Sequence, residues 1–251
     1  MPAMRLLHLV AHRGNSAEFP DNTLPALRSA VALGARFIDV DVHLSSDGIP
    51  MVCNEEDLAA MGAGPDLTGA QLSGLDASQP ARFERRFRGT GVPSLATVLG
   101  LLDGRPEVTL FLTLGRAAVI RFGAAQVVAQ LLRVLQPVRA RCVLVSRDLH
   151  ILHTARVQAD FAIGWALPAV DTHSCLKYEA LKPDFLFCDI QRLPARLPTW
   201  RAPWRWAVYQ QAADLDATLA LAERGADFVV TKNVSELTAA MRGHAVTLAG
   251  A

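Results

Sequence analysis

Short apolar runs recur along the chain and alternate with stretches that have the periodicity of amphipathic helices. The apolar runs are continuous rather than alternating, which is typical of a parallel sheet whose faces are covered by helices. The helical patterns are exemplified by residues 24–33, 117–135, 149–158 and 215–224. Eight strands are predicted, at 6–11, 36–42, 108–114, 141–146, 161–167, 185–189, 206–209 and 227–231.

Eight strands alternating with helices in 251 residues predict an α/β fold in which the strands close into a (β/α)8 TIM-type barrel. A doubly wound open sheet is the alternative, but no GxGxxG motif follows any predicted strand. We expect one domain that spans residues 1–251.

One segment departs from strict alternation. Asp47-Gly48 predicts a hairpin turn after the second strand, and residues 55–93 then form a small insertion beside the barrel mouth. Within it, Thr68 and Gln71 have the spacing of a helix capping box. The run 82–88 mixes arginine with phenylalanine. We interpret it as an exposed loop face, with contact to an anionic lipid headgroup as the alternative.

Composition narrows the class of protein. A formal net charge of +1 gives no reason to expect a nucleic-acid partner. No apolar run approaches membrane-spanning length, and the start of the chain is too short and interrupted for a signal peptide. Cys53, Cys142, Cys175 and Cys188 form no CxxC pair, so buried thiols are expected rather than a zinc site. Together these features predict a cytoplasmic protein.

The candidate chemistry lies at the ends of the first two strands. The first apolar run ends in His-Arg-Gly at 12–14, and the second places Asp39, Asp41 and His43 on one strand face. Carboxylate oxygens suit hard cations, and a guanidinium fits phosphate oxygens. Two carboxylates this close need a cation beside them. The pattern therefore predicts neutralisation by a divalent metal or by Arg13, next to a phosphate site.

These motifs resemble the glycerophosphodiester phosphodiesterase family, and the similarity extends over nearly the whole chain. The resemblance implies a TIM-type barrel that hydrolyses glycerophosphodiesters to an alcohol and glycerol 3-phosphate with a divalent metal, a reaction of lipid metabolism. The segments that carry it are 12–14, 20–24, 37–44, 45–48, 67–68, 92–95 and 225–231.

The resemblance also implies where a metal ion would bind. The family holds it with a Glu-x-Asp pair and with the Glu of a Glu-x-Lys pair. Asp39 and Asp41 take the first pair's places, while Thr113 and Gly115 take the places of the second Glu and the Lys. A register two residues earlier puts Phe111 and Thr113 there instead. Neither register supplies a carboxylate or an ammonium, so Mg²⁺ or Ca²⁺ is expected to bind weakly.

The family's two catalytic histidines have one match. His12 matches the first, and Arg13 is expected to bind the substrate phosphate. The second histidine falls at Asn54, where an amide exchanges no proton near neutral pH. A general acid or base typically contributes about 10²–10⁴-fold to a rate. Hydrolysis is therefore expected to be impaired.

Four further residues are candidates for supporting roles. Asp189 is a candidate third metal ligand, although a turn-forming aspartate is the commoner explanation. Lys232 either binds the phosphate or is solvated. Glu55 and His43 are candidates to replace the missing histidine.

Two functions remain open. The first is a metal-dependent phosphodiesterase with an incomplete site. The second is a catalytically silent relative that binds a small phosphodiester ligand as a sensor or regulator. The substitutions at Asn54 and Thr113 favour the second.

Overall fold

The computed structural model of the protein describes residues 7–64, 66–195, 204–210 and 214–249. Within them, eight parallel strands close into a barrel, because β1 pairs with β2 on one side and with β9 on the other. The predicted barrel is confirmed. The strands are β1 His8–His12, β2 Phe37–Leu44, β3 Pro50–Val52, β4 Thr109–Leu114, β5 Cys142–Ser146, β6 Ala162–Ala166, β7 Phe185–Asp189, β8 Arg205–Tyr209 and β9 Phe228–Thr231.

Helices cover the outside of the barrel, and an apolar layer between helices and strands forms the larger core. Two short 3-10 turns lie at Gln136–Arg141 and Ile190–Arg192. The helices are α1 Leu24–Ala32, α2 Glu55–Ala60, α3 Gly69–Ser73, α4 Pro80–Phe83, α5 Leu95–Gly100, α6 Arg116–Phe122, α7 Ala124–Leu135, α8 Leu149–Ala159, α9 Thr172–Leu181, α10 Leu215–Glu223 and α11 Val234–Ala249.

The prediction of one helix over 117–135 is wrong, because α6 and α7 are separate. Gly123 between them has φ +76°, a conformation that glycine adopts without steric cost and that ends a helix. In the described residues no single helix is long and apolar enough to cross a membrane. Only α6 together with Ala124–Arg141 meets that length and composition, with a bend of 109° between them.

The insertion after the hairpin has its own small core. Strand β3 runs antiparallel to β2, and Gly48 in the connecting turn has φ +77°. Thr68 and Gln71 form the predicted capping box at the start of α3. The helices of the insertion pack over an apolar cluster of Met51, Cys53, Leu58, Leu72 and Val92.

Aromatic side chains fill the barrel interior. The buried Phe111 ring lies 5.0 Å from that of Phe185 and 5.2 Å from that of Phe187, centroid to centroid. Gly164 makes room for this packing, because a Cβ there would lie 2.7 Å from the Phe187 ring. The layer contains Val10, Phe111, Val143, Val145, Phe185, Phe187, Ala207, Phe228 and Val230.

The strand positions that point into the barrel carry the apolar layer described above. Polar residues take these positions at the carboxyl ends of β1, β2 and β4. His12 is the register partner of Asp39, and Thr113 is the partner of Asp41. Register partners point to the same face of a sheet, so these side chains gather at one end of the barrel. TIM barrels carry their binding and catalytic sites at this end.

The sequence at 200–206 is rich in tryptophan and arginine, and Trp200 and Arg201 in it lie outside the described residues. Trp204 and Trp206 are buried. The Arg205 guanidinium lies 4.2 Å from the centroid of the Phe185 ring, a cation–π contact.

The aromatic layer should dominate the stability of the barrel. We expect Phe111→Ala to lower the free energy of unfolding by about 3–5 kcal/mol, because it leaves a cavity in a closely packed interior. Urea unfolding followed by circular dichroism measures the change. Ile120, whose side chain is exposed, is the control, and Ile120→Ala should stay within about 0.5 kcal/mol. Equal losses in the two variants would contradict this assignment of the core.

Candidate active site

An open cleft of about 1150 Å³ lies at the carboxyl end of the barrel. The structure brings most of the predicted site residues together on its walls. These are His12, Arg13, Asp39, Asp41, His43, Asn54, Glu55, Thr113, Gly115 and Asp189. Lys232 is not among the residues that line the cleft.

The His-Arg-Gly segment forms a tight turn at the end of β1. Gly14 has φ +87°, and a Cβ there would lie 2.6 Å from the backbone of Ala26, so only glycine fits. Arg13 has φ +57°, a conformation that is uncommon outside glycine and that is found at functional sites. The turn directs the Arg13 guanidinium towards Asp41, where Nε lies 2.8 Å from Oδ2.

Asp39 is held by two donors. His12 Nδ1 lies 2.9 Å from Oδ2, and the Thr113 hydroxyl donates to Oδ1 at 2.8 Å. Because an ionised carboxylate only accepts hydrogen bonds, Nδ1 carries the proton and Nε2 of His12 is left as a base. Phe111 points into the aromatic layer, so Thr113 is the residue of β4 that occupies the site.

One oxygen of Asp41 accepts two hydrogen bonds and lies in an ion pair with Arg13. This oxygen, Oδ2, lies 2.8 Å from Arg13 Nε and accepts from Asn22 Nδ2 at 2.9 Å and Asn54 Nδ2 at 3.0 Å. Asn22 also accepts from the Asp41 backbone N–H at 3.1 Å, so this amide is bonded in both directions. Burial alone would lower the pKa of Arg13. The carboxylates of Asp41 and Asp21 outweigh this effect, so the pKa lies above the usual value for arginine.

Asn54 has a local structural role that explains why an amide stands there. It is the N-cap of α2, and its Oδ1 accepts from the Asp57 backbone N–H at 2.8 Å. Its Nδ2 donates to Asp41 and, at 2.8 Å, to Asp57 Oδ2. Burial and the neighbouring carboxylates of Asp21 and Asp41 raise the pKa of Asp57, while Arg13 opposes the shift.

Tyr209 belongs to the site, although the sequence analysis did not single it out. It lines the cleft, and its ring meets that of His12 edge-on at 5.8 Å. Burial, reinforced by the charge of Asp39, raises its pKa well above the usual value, and a hydrogen bond with Thr113 opposes the rise. The signal available in the sequence was its place at the end of a predicted barrel strand.

His43 and two thiols of the cleft are uncharged near neutral pH. Burial lowers the pKa of His43, which therefore remains neutral there. Cys53 and Cys188 also line the cleft, and burial raises their pKa values to about 12 and about 11. Cys142 is a third buried free thiol; the side chain of Cys175 lies outside what the structure describes.

Asp189 and Lys232 are committed to other partners. Asp189 is exposed, and its Oδ1 accepts from the Gln191 backbone N–H at 2.8 Å, as a turn-forming aspartate does. Lys232 Nζ lies 3.5 Å from Asp21. Glu55 lies beside Gly115. A Cβ atom added to Gly115 would lie 3.4 Å from Glu55 Oε1. A carboxylate therefore lies next to the position at which the resemblance implies a lysine.

A buried carboxylate outside the cleft, Asp21, connects the site to the insertion. It accepts from Arg13 at 3.3 Å and from Arg82, the first residue of the 82–88 run. Arg82 also donates to the Ser16 carbonyl, so it is not simply part of a solvated face. The Arg86 guanidinium lies 4.8 Å from the centroid of the Phe87 ring. The insertion thus anchors the turn that carries Arg13.

The residues present do not fit a resident divalent metal. Both oxygens of Asp39 already accept hydrogen bonds, and Asp41 Oδ2 lies against the Arg13 guanidinium. In the parts of the chain that are described, no group of three or more His, Cys, Asp or Glu side chains is arranged to hold a metal ion. Asp189 therefore does not complete a ligand set with Asp39 and Asp41.

Comparison with known proteins supplies the family. The model of the glycerophosphoryl diester phosphodiesterase family matches residues 12–174. The chain belongs to this family. An uncharacterised Mycobacterium tuberculosis protein is 38% identical over 116 residues, which are 42% of this chain and 38% of that protein. A Caldanaerobacter subterraneus glycerophosphodiester phosphodiesterase is 37% identical over 101 residues, 39% of this chain and 41% of the enzyme. The matches thus span about two fifths of these relatives' own lengths.

Solved structures of phosphodiesterases share the fold. An Oleispira antarctica phosphodiesterase in complex with its product sn-glycerol-3-phosphate superposes with a TM-score of 0.82 at 22% identity, over 94% of this chain and 97% of that chain. An Agrobacterium tumefaciens glycerophosphodiester phosphodiesterase gives 0.74 at 22% identity, over 93% of this chain and 100% of the other. At 22% sequence identity, the structural similarity to these proteins shows only that the fold is shared.

The Asp21 contacts should be important for stability. Asp21→Asn removes the charge that Arg13, Arg82 and Lys232 share, and hydrogen bonds to charged groups contribute about 1.5–3 kcal/mol. We expect the free energy of unfolding to fall by that amount in a urea titration. Asp66, an exposed partner of Arg121, is the control, since exposed pairs contribute about 0–1 kcal/mol. An Asp21→Asn loss no larger than the Asp66→Asn loss would refute the assignment.

Proposed function

We propose that the cleft binds a small phosphodiester, or the phosphate ester that its cleavage leaves, and that the chain hydrolyses it far more slowly than relatives with the complete residue set. The family and the barrel support the ligand class. The substitutions at Asn54 and Thr113 support the loss of rate. Any Mg²⁺ or Ca²⁺ binds weakly in this proposal, for want of a third carboxylate.

The observation that carries the proposal is the bonding of Asn54. Every polar atom of its amide is engaged, with the α2 backbone on one side and with Asp41 and Asp57 on the other. The amide therefore neither takes up nor releases a proton during a reaction. Where the resemblance implies a pair of histidines, this chain keeps one.

His12 remains equipped for proton transfer. Its Nδ1 is fixed by Asp39, which orients the ring and leaves Nε2 as an acceptor in the cleft. In the proposal, Arg13 binds the phosphate oxygens and His12 accepts or returns one proton. Burial keeps His43 neutral and Asn54 has no proton to give, so neither takes the place of the missing histidine as a proton donor. Binding is thereby retained and turnover is largely lost.

Residues that are restored to the family pattern should recover activity. Asn54→His returns a proton carrier, and Thr113→Glu returns a carboxylate beside Asp39. Groups that act on one transition state are not independent, so the double variant should exceed the product of the single gains. Glycerophosphocholine and an artificial bis-aryl phosphodiester, assayed with added Ca²⁺ or Mg²⁺, measure the rates. Asn54→Gln and Thr113→Gln are the matched controls without the new chemistry.

The unaltered protein decides between the two functions. Robust turnover that disappears in His12→Ala would overturn the proposed impairment. Glycerol 3-phosphate binding by calorimetry tests the ligand class separately. A protein that neither binds this ester nor gains activity in the double variant would contradict the proposed function as a whole.

A further inference from the structure

We propose that this chain replaces the metal ion of its site with its own hydrogen-bond donors, so that it binds a phosphate ester without any divalent cation. The donors are His12 and Thr113 on Asp39, and Arg13, Asn22 and Asn54 on Asp41. The part that concerns the ester rests on the proposed function; the part that concerns the metal does not.

Each oxygen of Asp39 accepts one hydrogen bond, from buried His12 and from half-buried Thr113. The carboxylate of Asp39 is 1% exposed, and His12, at 7% exposed, is nearly as inaccessible. A cation that entered here would compete with the imidazole for Oδ2 and with the hydroxyl of Thr113 for Oδ1, and full coordination would displace one of them. Either displacement leaves a buried polar group without its partner, at a typical cost of about 1–3 kcal/mol.

At Asp41 the opposing charge is already present. The guanidinium of Arg13 is permanently charged, and its Nε lies 2.8 Å from the carboxylate. A divalent ion on the same carboxylate would therefore be placed beside a fixed positive charge. Two amides share the same oxygen, so the carboxylate is both neutralised and hydrogen-bonded.

The backbone fixes the residues that surround Asp41. Asn22 has φ +61° and accepts from the Asp41 N–H while it donates to the Asp41 side chain. Asn54 is fixed as the N-cap of α2. Arg13 projects from the turn that Gly14 makes possible. The three residues that surround Asp41 are thus positioned by local backbone conformation.

A cation would also lack ligands. Ca²⁺ takes about six to eight oxygen ligands and Mg²⁺ takes about six, with carboxylates supplying the charge. Thr113 contributes a neutral hydroxyl that is already bonded to Asp39. A phosphate ester has an alternative partner, since the Arg13 guanidinium lines the cleft and carries a permanent positive charge.

Titration calorimetry on the full chain tests the metal directly. After treatment with a chelator and its removal, Ca²⁺ and Mg²⁺ should each bind with a dissociation constant above about 1 mM, the weak limit of known calcium sites. A value below 1 mM for either ion overturns the inference. This titration contains no phosphate ester, so it decides the metal question even if the proposed function fails.

A second titration uses glycerol 3-phosphate, once with the chelator present and once with excess Ca²⁺. We expect dissociation constants that agree within about twofold, because Arg13 rather than a metal receives the phosphate. Binding that requires Ca²⁺ overturns the inference. No binding in either condition counts against the proposed function instead.

Gain of metal affinity provides a matched test. Thr113→Glu adds the third carboxylate, and we expect Ca²⁺ to bind at least tenfold more tightly than to the unaltered chain. Thr113→Gln has the same length without the charge and should show no gain. A Thr113→Glu protein that binds Ca²⁺ no better than Thr113→Gln would overturn the role given to position 113. Circular dichroism of both variants confirms that they fold.

Discussion

Two buried carboxylates on one strand set the main constraint on this site. Asp39 and Asp41 are two residues apart on β2, so they face the same way into the barrel mouth. Both are less than a tenth exposed. Charges buried at this spacing destabilise a fold unless cations or donors surround them. The loops at the carboxyl end of the barrel are arranged to supply these donors.

Several local features follow from that requirement. The turn at Gly14 directs Arg13 towards Asp41, and Asn22 adopts a left-handed conformation to bond the same residue. Asn54 combines the cap of a helix with a donor to that carboxylate. The same contacts leave the site poor in metal ligands and in proton carriers. The contacts that stabilise the buried carboxylates are thus the ones on which the proposed loss of family chemistry rests.

The sequence predicted the barrel and many of the cleft residues, because strand periodicity and the His-Arg-Gly motif are local signals. All eight barrel strands lie within two residues of their predicted bounds. It did not predict the break at Gly123, since the apolar periodicity runs through that residue unchanged. The contacts of Asp21 with Arg82, and of Tyr209 with His12, join residues far apart in the chain. No local pattern encodes such pairs.

The most direct test of the account is anomalous diffraction from crystals soaked in Mn²⁺, a hard cation with strong anomalous scattering. The account predicts no anomalous peak beside Asp39 or Asp41. It also predicts that His12 Nδ1 stays about 2.9 Å from the Asp39 carboxylate. A peak about 2–2.6 Å from oxygens of both carboxylates, the range for hard cations, would contradict it.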